Sequence, residues 1–521
     1  MLYSEYSTIQ NYGKFHRYGT METSTVVKIT VKMLLGLVAL FVALFTSIYF
    51  LLTRHANYWK KRGVPYLEPS LLFGNYGDHI LLKKNLSSTV DHICKKFPKE
   101  PLIGVFYGTE PAIIVKDPEL VSTVTTKAFY YFSSREVADH THKEPLTKNL
   151  FSESGDYWRV VRQNLTPIFS SSKMRNMFPL IKQCTQQFEK LLSQETKVNS
   201  TIGVRLLFSR FTMDCIGSCV LGLETNVMVD DVNENPFKNI ADSIFGTPIL
   251  RSLKSITRNI WPGIFYSLGL KIFPQEIVDF FKSVLLKVFD DRNNKPSGRQ
   301  DFVDLILTFK NNKYMVGDGL KKDMIVKYEV DDELLVAQCM VFFGAGYETS
   351  ATTASYTLYE LAKNEEAQLK VIAEVDEYLR KHDGNIEYDC IRELPYLDAC
   401  IDEALRLYPI LGVITREVVE DYTLPSGLVL EKGLRVQIPI YNLQHNPEYF
   451  PEPEVYRPER FYGDEKKNIN PHTYMPFGEG PRICIGTYNL LLLFFIIILV
   501  SLLSLPKNEI NLKFIPRDLS G

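Results

Sequence analysis

The feature that most constrains the fold is a run of 20 uncharged, mostly apolar residues at positions 33–52, MLLGLVALFVALFTSIYFLL. A helix rises about 1.5 Å per residue, so this run crosses the roughly 30 Å hydrocarbon core of a bilayer, where only a helix satisfies its backbone. We therefore predict one transmembrane anchor at residues 33–52. A cleaved signal peptide and a buried helix are the alternatives, although the apolar core of a signal peptide is usually only about 7–15 residues long.

Basic residues on either side of the anchor indicate its orientation. More of them follow the apolar run than precede it: Arg54, Lys60, Lys61 and Arg62 against Lys28 and Lys32. The positive-inside rule then places the rest of the chain on the cytosolic side. Residues 1–32 form a polar extension to which we assign no structure. Residues 53–74 form a proline-rich hinge, because Pro65 and Pro69 cannot continue a helix.

Residues 75–486 are predicted to form one large domain, because they contain no internal repeat and no glycine-serine linker. Helical periodicity is the dominant pattern, and it predicts helices at residues 335–362, Glu365–Lys381 and 397–408. In the second helix we expect an apolar face of Leu369, Ile372, Val375 and Leu379. Short β-branched runs predict strands at residues 102–106, 112–115 and 434–439. The predicted class is mainly α with minor β.

Composition excludes several classes of protein. Hydrophobic residues make up 45% of the chain and charged residues 23%, which is typical of globular rather than disordered chains. The net charge of -2 gives no basis for nucleic-acid binding, which usually needs a strong positive charge. The 8 cysteines include no CxxC pair, which disfavours a disulfide scaffold and a zinc ribbon and leaves room for a single special cysteine.

The most informative motif is FGEGPRICIG at residues 477–486, with the spacing FxxGxRxCxG. Its glycines allow the backbone to pass close beneath a flat cofactor, its cysteine offers a sulfur to a metal, and its arginine can neutralise a carboxylate. A cysteine thiolate of this kind ligates haem iron and favours O–O cleavage. A buried structural cysteine in a glycine turn is the alternative. The motif residues are Phe477, Gly480, Arg482, Cys484 and Gly486.

On this loop, the chain resembles the cytochromes P-450, the haem-thiolate monooxygenases. The runs at residues 211–226 and 470–482 are similar to those of the microsomal insect enzymes of family six. The resemblance covers the chain from the hinge to Gly486. It implies the cytochrome P-450 fold, a haem b cofactor and Cys484 as the axial iron ligand.

The resemblance also implies roles for residues elsewhere in the chain. The residues that it places at the haem propionates are Trp158, Arg162, Arg416 and Arg482. It assigns proton delivery to Glu348 and Thr349 in the AGYETS stretch of the long central helix. Taken alone, each arginine would more often be a surface charge, and a Glu-Thr pair in a helix would mean little.

A charged cluster is implied beneath the haem. Glu403 and Arg406 are three residues apart and share a helix face, and Arg460 lies in the downstream PERF segment. The resemblance implies that the three are buried together, and an unpaired buried charge would cost several kcal/mol, so each needs its partners. A solvated surface pair is the alternative for Glu403 and Arg406.

The resemblance implies a monooxygenase that inserts one oxygen atom from O2 into an apolar small molecule, either a xenobiotic or an endogenous lipid or hormone. Electrons would come from NADPH through the diflavin NADPH-cytochrome P-450 reductase, with cytochrome b5 as an optional second donor. The anchor would lie in the endoplasmic reticulum membrane. We expect substrate contacts from residues 129–151, from residues 245–273 and from the central helix, because these segments are rich in aromatic or apolar side chains.

Residues 487–521 depart from the family pattern. An apolar tail that begins TYNLLLLFFIIILV replaces the arginine-containing amphipathic helix that the resemblance implies. We interpret this tail as an altered reading of the gene, such as a retained intron. Two alternatives to the monooxygenase follow: a variant that the tail leaves haem-free or impaired, and a haem-thiolate isomerase that needs no reductase. Thr349 argues against the isomerase.

Overall fold

The computed structural model describes residues 5–198, 203–246 and 248–487. Its first helix, α1, runs from Glu5 to Thr53, so most of the predicted polar extension is helical. The portion Val27–Thr53 has a mean hydropathy of 2.5 and buries none of its surface in the rest of the protein. Because nothing in the body covers this apolar helix, it is a candidate membrane anchor, and it contains the predicted residues 33–52.

Helices make up most of the body. The described residues contain eighteen α-helices, in chain order α1 (Glu5–Thr53), α2 (Tyr58–Lys61), α3 (Gly77–Ile80), α4 (Leu86–Lys96), α5 (Pro118–Ser122), α6 (Gly155–Leu165), α7 (Ser171–Val198), α8 (Val204–Ile216), α9 (Pro236–Phe245), α10 (Ile249–Ile260), α11 (Pro262–Ser267), α12 (Gln275–Asp291), α13 (Phe302–Asn312), α14 (Asp332–Lys363), α15 (Glu365–Lys381), α16 (Cys390–Glu393), α17 (Pro395–Leu407) and α18 (Ile440–Gln444). The class is mainly α, as predicted.

Three small sheets complete the described fold. Their strands are β1 (Leu102–Tyr107), β2 (Glu110–Val115), β3 (Tyr314–Asp318), β4 (Ile325–Glu329), β5 (Ile414–Glu417), β6 (Tyr422–Thr423), β7 (Val429–Leu430) and β8 (Arg435–Ile438). The largest sheet has the order β1-β2-β8-β5, with β2 and β8 parallel in the register Ala112 to Arg435. The predicted strands at 102–106, 112–115 and 434–439 are therefore neighbours in one sheet.

Helix α14 passes through the centre of the body. The Asp331 carboxylate accepts a hydrogen bond from the Leu334 amide at 2.7 Å, which caps the helix, and acidic residues in its first turn suit the helix dipole. Side chains are buried on almost every face of α14, as expected of a helix enclosed by others. It begins one turn earlier than the predicted 335–362.

Helix α15 has the predicted bounds, but the predicted apolar face is only partly right. Val375 is buried and Leu379 packs against the core, whereas Leu369 is 58% exposed; the other buried side chains are those of Ala367, Val371 and Tyr378. The reason is a polar contact that periodicity does not reveal. The Glu374 carboxylate points inward, where it accepts hydrogen bonds from the first amides of α17 at 2.8 and 2.9 Å. Because Glu374 must face the start of α17, a different side of α15 is turned toward the core than the apolar spacing alone predicts.

The predicted hinge is packed against the body. Trp59 is fully buried and donates its indole N–H to the Val105 carbonyl at 2.9 Å. A Cβ at Gly104 would lie 2.4 Å from the Trp59 ring, so only glycine fits there. The chain after Trp59 then follows β1, where the Gly104 amide donates to the Pro65 carbonyl at 2.8 Å. The anchor is therefore joined to the largest sheet by a fixed connection.

Candidate active site

A cavity lies between α14 and the FxxGxRxCxG loop. Its wall on the loop side is formed by Ile483, Cys484, Ile485 and Gly486. The rest of its apolar lining consists of Leu150, Phe151, Trp158, Phe169, Ile216, Val220, Val341, Phe342, Ala345 and Gly346. Its charged lining consists of Arg135, Arg162 and Arg482. Cys484 therefore shares the wall of a mostly apolar cavity with three arginines.

The loop that carries Cys484 is held by two of its own motif residues, which lie behind the cavity wall. Gly480 has φ +71°, and a Cβ there would lie 2.0 Å from the Thr125 carbonyl oxygen. The Phe477 carbonyl accepts the Cys484 amide at 2.9 Å, and the Phe477 side chain packs against the main core. Gly480 and Phe477 thus shape the loop, while Cys484 and Gly486 face the cavity.

Cys484 differs from the other cysteines. The seven others are buried, whereas Cys484 is only half-buried. Burial raises the pKa of the Cys484 thiol, while the Gly486 amide and the charges of Arg162 and Arg135 act in the opposite direction. A thiol in this setting stays protonated until a cation replaces the proton, which is the usual behaviour of a metal ligand.

Arg482 and Arg162 stand beside Cys484 in the cavity wall. Arg482 donates to the Ser133 carbonyl at 2.7 Å and to the Glu153 carbonyl at 2.6 Å, and its guanidinium lies 4.2 Å from the centroid of the Trp158 ring. Burial lowers the pKa of Arg482, and its arginine neighbours lower it further. Trp158 and Arg162 both come from α6, as their spacing predicts. The site therefore contains several arginine charges in a region where burial and mutual repulsion both disfavour the charged form of Arg482.

Arg416 and Arg135 extend this group, although Arg416 does not itself line the cavity. Arg416 is 1% exposed and donates to the Thr415 carbonyl at 2.8 Å, while its Nε has no hydrogen-bond partner among the described residues. Burial and nearby Arg135 lower the pKa of Arg416 to about 9. Arg135 donates to the Phe151 carbonyl at 3.1 Å and lies over the Phe151 ring. We call Arg135, Arg162, Arg416 and Arg482 the cavity arginines.

Across the described ranges, no carboxylate forms an ion pair with any cavity arginine. Buried guanidinium groups without such partners are costly unless an anionic ligand completes them. The haem propionates are carboxylates that suit guanidinium geometry, and the haem iron takes a cysteine thiolate. The residues present therefore fit haem b, with Cys484 at the iron and the cavity arginines and Trp158 near the propionates.

The predicted proton-delivery pair lies on α14 but outside the cavity wall. Thr349 donates its hydroxyl to the Ala345 carbonyl at 2.6 Å, one turn back along the helix. Glu348 forms an ion pair with Arg205 of α8. Gly346 is in the wall, and a Cβ there would lie 2.4 Å from Ile216 of α8. The glycine therefore permits close packing of α8 as well as access to the cavity.

The predicted charged cluster is brought together and buried. Arg406 donates to both oxygens of Glu403 at 2.8 and 2.9 Å, and the Arg460 Nε lies 3.4 Å from the same carboxylate. Glu403 and Arg406 are fully buried and Arg460 is 4% exposed. Arg406 also donates to the Gln444 carbonyl and Arg460 to the Glu452 carbonyl, each at 2.9 Å, while the Arg460 Nε has no hydrogen-bond partner among the described residues. The cluster joins α17 to the chain that precedes the cysteine loop.

Comparison with known proteins places these features in a family. A family model described as Cytochrome P-450 matches residues 64–499. Cytochrome P-450 6B6 of Helicoverpa armigera is 38% identical over 450 residues, which cover 85% of this chain and 86% of the relative. Cytochromes P-450 6B1 of Papilio polyxenes and 6a8 of Drosophila melanogaster are each 34% identical, covering 87% and 85% of this chain and 89% and 87% of the relatives.

The chain belongs to the cytochrome P-450 family. Membership identifies the protein as a haem-containing P-450 monooxygenase with the P-450 fold. The family match extends past Gly486 to residue 499, although the predicted atypical tail begins at residue 487. Apart from Thr487, that tail lies outside the described residues.

Two features of this P-450 site were missed in the sequence. Arg135 is a cavity arginine, and its only signal is its place after the aromatic run FYYF in a segment already expected to contact substrate. Ile216 and Val220 line the cavity from α8 and the turn after it. Their four-residue spacing indicates a shared helix face. Of the predicted substrate segments, residues 129–151 and α14 reach the wall; in residues 245–273, Phe245 packs instead on Tyr347, with ring centroids 5.6 Å apart.

Proposed function

We propose that this P-450 inserts one oxygen atom from O2 into an apolar small molecule, with electrons from NADPH delivered through a diflavin reductase. The observation that carries the proposal is the cavity, which places apolar side chains of α14 opposite Cys484. Apolar walls favour an apolar substrate and exclude water. Haem, when bound, supplies the activation of oxygen that no side chain can provide.

Each group in the site has a proposed part. Cys484 holds the iron through its thiolate, and the cavity arginines with Trp158 orient the cofactor by pairing with its carboxylates. Thr349 donates protons toward the cavity by releasing the Ala345 carbonyl. Glu348 relays protons from solvent to Thr349: its carboxylate leaves Arg205, takes up a proton from water and passes that proton on to the Thr349 hydroxyl.

Location follows from the anchor. We infer that Val27–Thr53 crosses the endoplasmic reticulum membrane and that the basic residues after it keep the catalytic domain in the cytosol. There the domain meets NADPH-cytochrome P-450 reductase, with cytochrome b5 as a second electron donor. Both would approach the side of the body that carries the cysteine loop, since that side brings an electron closest to the iron.

Turnover of the full chain with purified reductase tests the proposal. Supplied with NADPH, ¹⁸O2 and a panel of apolar substrates in lipid vesicles, the enzyme should form a product that contains one labelled oxygen atom. Product formation should stop when either NADPH or the reductase is left out. Rearrangement of an organic peroxide without reductase, and with no label from O2, would instead establish the isomerase alternative.

A further inference from the structure

A buried carboxylate joins two segments on the apolar side of the cavity. The first segment, residues 138–151, contains Glu144 and ends at Leu150 and Phe151 in the cavity wall. The second segment, residues 262–273, contains α11 and the chain that follows it. Glu144 is only 2% exposed, although glutamate is rarely buried without a partner. Its contacts therefore indicate a specific role.

Every described polar contact of the Glu144 carboxylate crosses between the two segments. Oε1 accepts the Tyr266 hydroxyl at 2.9 Å, and Oε2 accepts the amides of Ile272 and Phe273 at 3.0 and 3.1 Å. Within the parts of the chain that the structure describes, no lysine or arginine forms an ion pair with it. Hydrogen bonds to the second segment are what compensate the buried charge. We call Glu144, Tyr266 and these two amides the Glu144 latch.

Tyr266 is itself held in place by further groups. Arg258 of α10 donates to the Tyr266 hydroxyl at 2.7 Å, which leaves the hydroxyl proton for Glu144. Burial raises the pKa of Tyr266 to about 12, so that proton is retained. The His140 ring, from the first segment, stacks on the Tyr266 ring at a centroid distance of 5.3 Å. The latch thus includes a polar contact and a ring contact between the same two segments.

The other end of the first segment is fixed to α14. The Leu150 amide donates to the Gln338 side chain at 2.9 Å, and Gln338 donates to the Lys148 carbonyl at 3.0 Å. Immediately before the segment, Val137 has φ +68°, a strained value for a β-branched residue. Such strain persists only when surrounding contacts hold it, and the segment that follows is held by the Gln338 and Glu144 contacts.

The second segment has an apolar outer surface. Ile264 is 57% exposed and Leu268 is 69% exposed. An apolar molecule that reaches the body from solution or from lipid can therefore adsorb next to the latch. Because Leu150 and Phe151 at the end of the first segment line the cavity, release of that segment from the second would move part of the cavity wall. A closed latch would admit only molecules small enough to pass without that movement.

We propose that Glu144 is a positioning residue that controls entry to the cavity, holding the 138–151 and 262–273 segments together and so setting the size of molecule that enters quickly. The inference rests on the proposed function, in which an apolar substrate must reach the cavity. It concerns access and assigns Glu144 no part in the chemistry. Weakening the latch should therefore change rates of entry and leave the bound state almost unaltered.

The first test is hydrogen exchange of the full chain in phosphatidylcholine vesicles. Glu144→Gln keeps the size of the side chain but replaces one acceptor oxygen by a donor, so the Ile272 and Phe273 amides lose a charged acceptor. Their exchange should become roughly tenfold faster, the scale expected for one lost bond to a charged group. The matched control is Asp139→Asn, which removes a charge from an exposed position of the same segment. Unchanged exchange at both amides in Glu144→Gln would overturn the proposal.

The second test compares ligands of two sizes. Imidazole and phenylimidazole both bind haem iron through a ring nitrogen, so stopped-flow absorbance reports their entry. In Glu144→Gln the association rate of phenylimidazole should rise roughly fivefold or more, while that of imidazole changes less than about twofold. A merely structural role would alter both rates alike, and that outcome would refute the entry function.

Tyr266→Phe provides a milder variant if Glu144→Gln does not fold. It removes the hydroxyl's hydrogen bonds with Glu144 and Arg258 but keeps both amide contacts and the stacked ring. The phenylimidazole rate should rise by about two- to threefold, and no change would count against the latch. Failure of the proposed function is distinguishable, because a wild-type chain without haem would show no azole spectrum with either ligand. Hydrogen exchange would still report the latch in that protein.

Discussion

Two groups of buried arginines in this domain differ in what neutralises them. Arg406 and Arg460 share the carboxylate of Glu403, with distances of 2.8 to 3.4 Å, and each also donates to a backbone carbonyl. The cavity arginines are also buried or half-buried, but among the described residues none of them forms an ion pair with a carboxylate. The first group has its counter-charge within the protein, whereas the second has no ion-pair partner among the described residues.

The role of a buried arginine in this domain therefore depends on which groups accept its hydrogen bonds and balance its charge. A complete ion pair fixes one part of the chain to another, and its loss leaves an uncompensated charge. An incomplete group is a preorganised receptor, which the protein maintains at a cost in stability until the ligand binds. Loss of one charge from the first group should therefore destabilise the haem-free protein, whereas loss of one arginine from the second group should leave its stability unchanged or increase it.

The largest effect is expected when the complete cluster is broken. Glu403→Gln leaves Arg406 and Arg460 buried without a counter-charge, so the free energy of unfolding should fall by about 3 to 5 kcal/mol. Urea unfolding of the solubilised chain measures the change. The control is Glu366→Gln, in the exposed ion pair with Lys370, which should cost at most about 0.5 kcal/mol. Equal losses in the two variants would contradict the distinction between buried and surface pairs.

Gly480→Ala should have the next largest effect, because it displaces the loop that carries Arg482 and Cys484. A left-handed alanine costs about 1 to 2 kcal/mol, and the contact at 2.0 Å with the Thr125 carbonyl adds about 1 to 3 kcal/mol. Gly478→Ala is the matched control, since it has φ +74° but its nearest non-local atom lies at 3.7 Å. Haem retention during gel filtration should be lower in Gly480→Ala, and a reversed order would show that the loop is not held at Thr125.

Arg416→Met tests the incomplete group directly. In the haem-free chain it should change the free energy of unfolding by less than about 1 kcal/mol or increase it, because a buried unpaired charge is removed. Haem affinity should fall about 10- to 100-fold, the worth of a hydrogen bond to a charged group. Haem transfer to an excess of apomyoglobin measures that affinity. Arg175→Met, at an exposed arginine, is the control and should leave the transfer rate unchanged.

Arg205→Gln should have the smallest effect. It tests an arginine that does have a carboxylate partner but whose ion pair is not fully buried. The Arg205–Glu348 ion pair is partly open to solvent, with side chains 37% and 21% exposed. Its loss should lower the free energy of unfolding by no more than about 1 kcal/mol. A loss as large as that in Glu403→Gln would mean that α8 and α14 depend on this pair in the way that α17 depends on Glu403.

Strong local patterns in the sequence predicted the fold well. The uncharged run, the periodicity of α14 and α15 and the β-branched runs of β1, β2 and β8 are each set by nearby residues, and the structure has all of them. The apolar face of α15 was only partly right because Glu374 turns inward to cap α17, which is a tertiary contact. The hairpin of β3 and β4 was missed because its mostly exposed strands lack a continuous apolar pattern.

The site was predictable only as far as its motif residues. Cys484, Arg482 and the Glu403 cluster were identified from spacing together with the family resemblance, and the structure brings the cluster together. Arg135 and Arg205 were missed, because each acquires its place only when segments distant in sequence meet. That no described carboxylate forms an ion pair with the cavity arginines is likewise a property of the folded chain that no single segment contains.

The most direct test of the account is the absorption spectrum of the reduced, carbon monoxide-bound chain, because it reports both haem binding and the iron ligand. The wild-type chain should show the thiolate-type band, Arg416→Met should show the same band at lower haem occupancy, and Cys484→Ala should lose it. No haem absorption in the folded wild-type chain, or an unaltered thiolate-type band in Cys484→Ala, would contradict the claim that the cavity arginines and Cys484 form a haem-thiolate site.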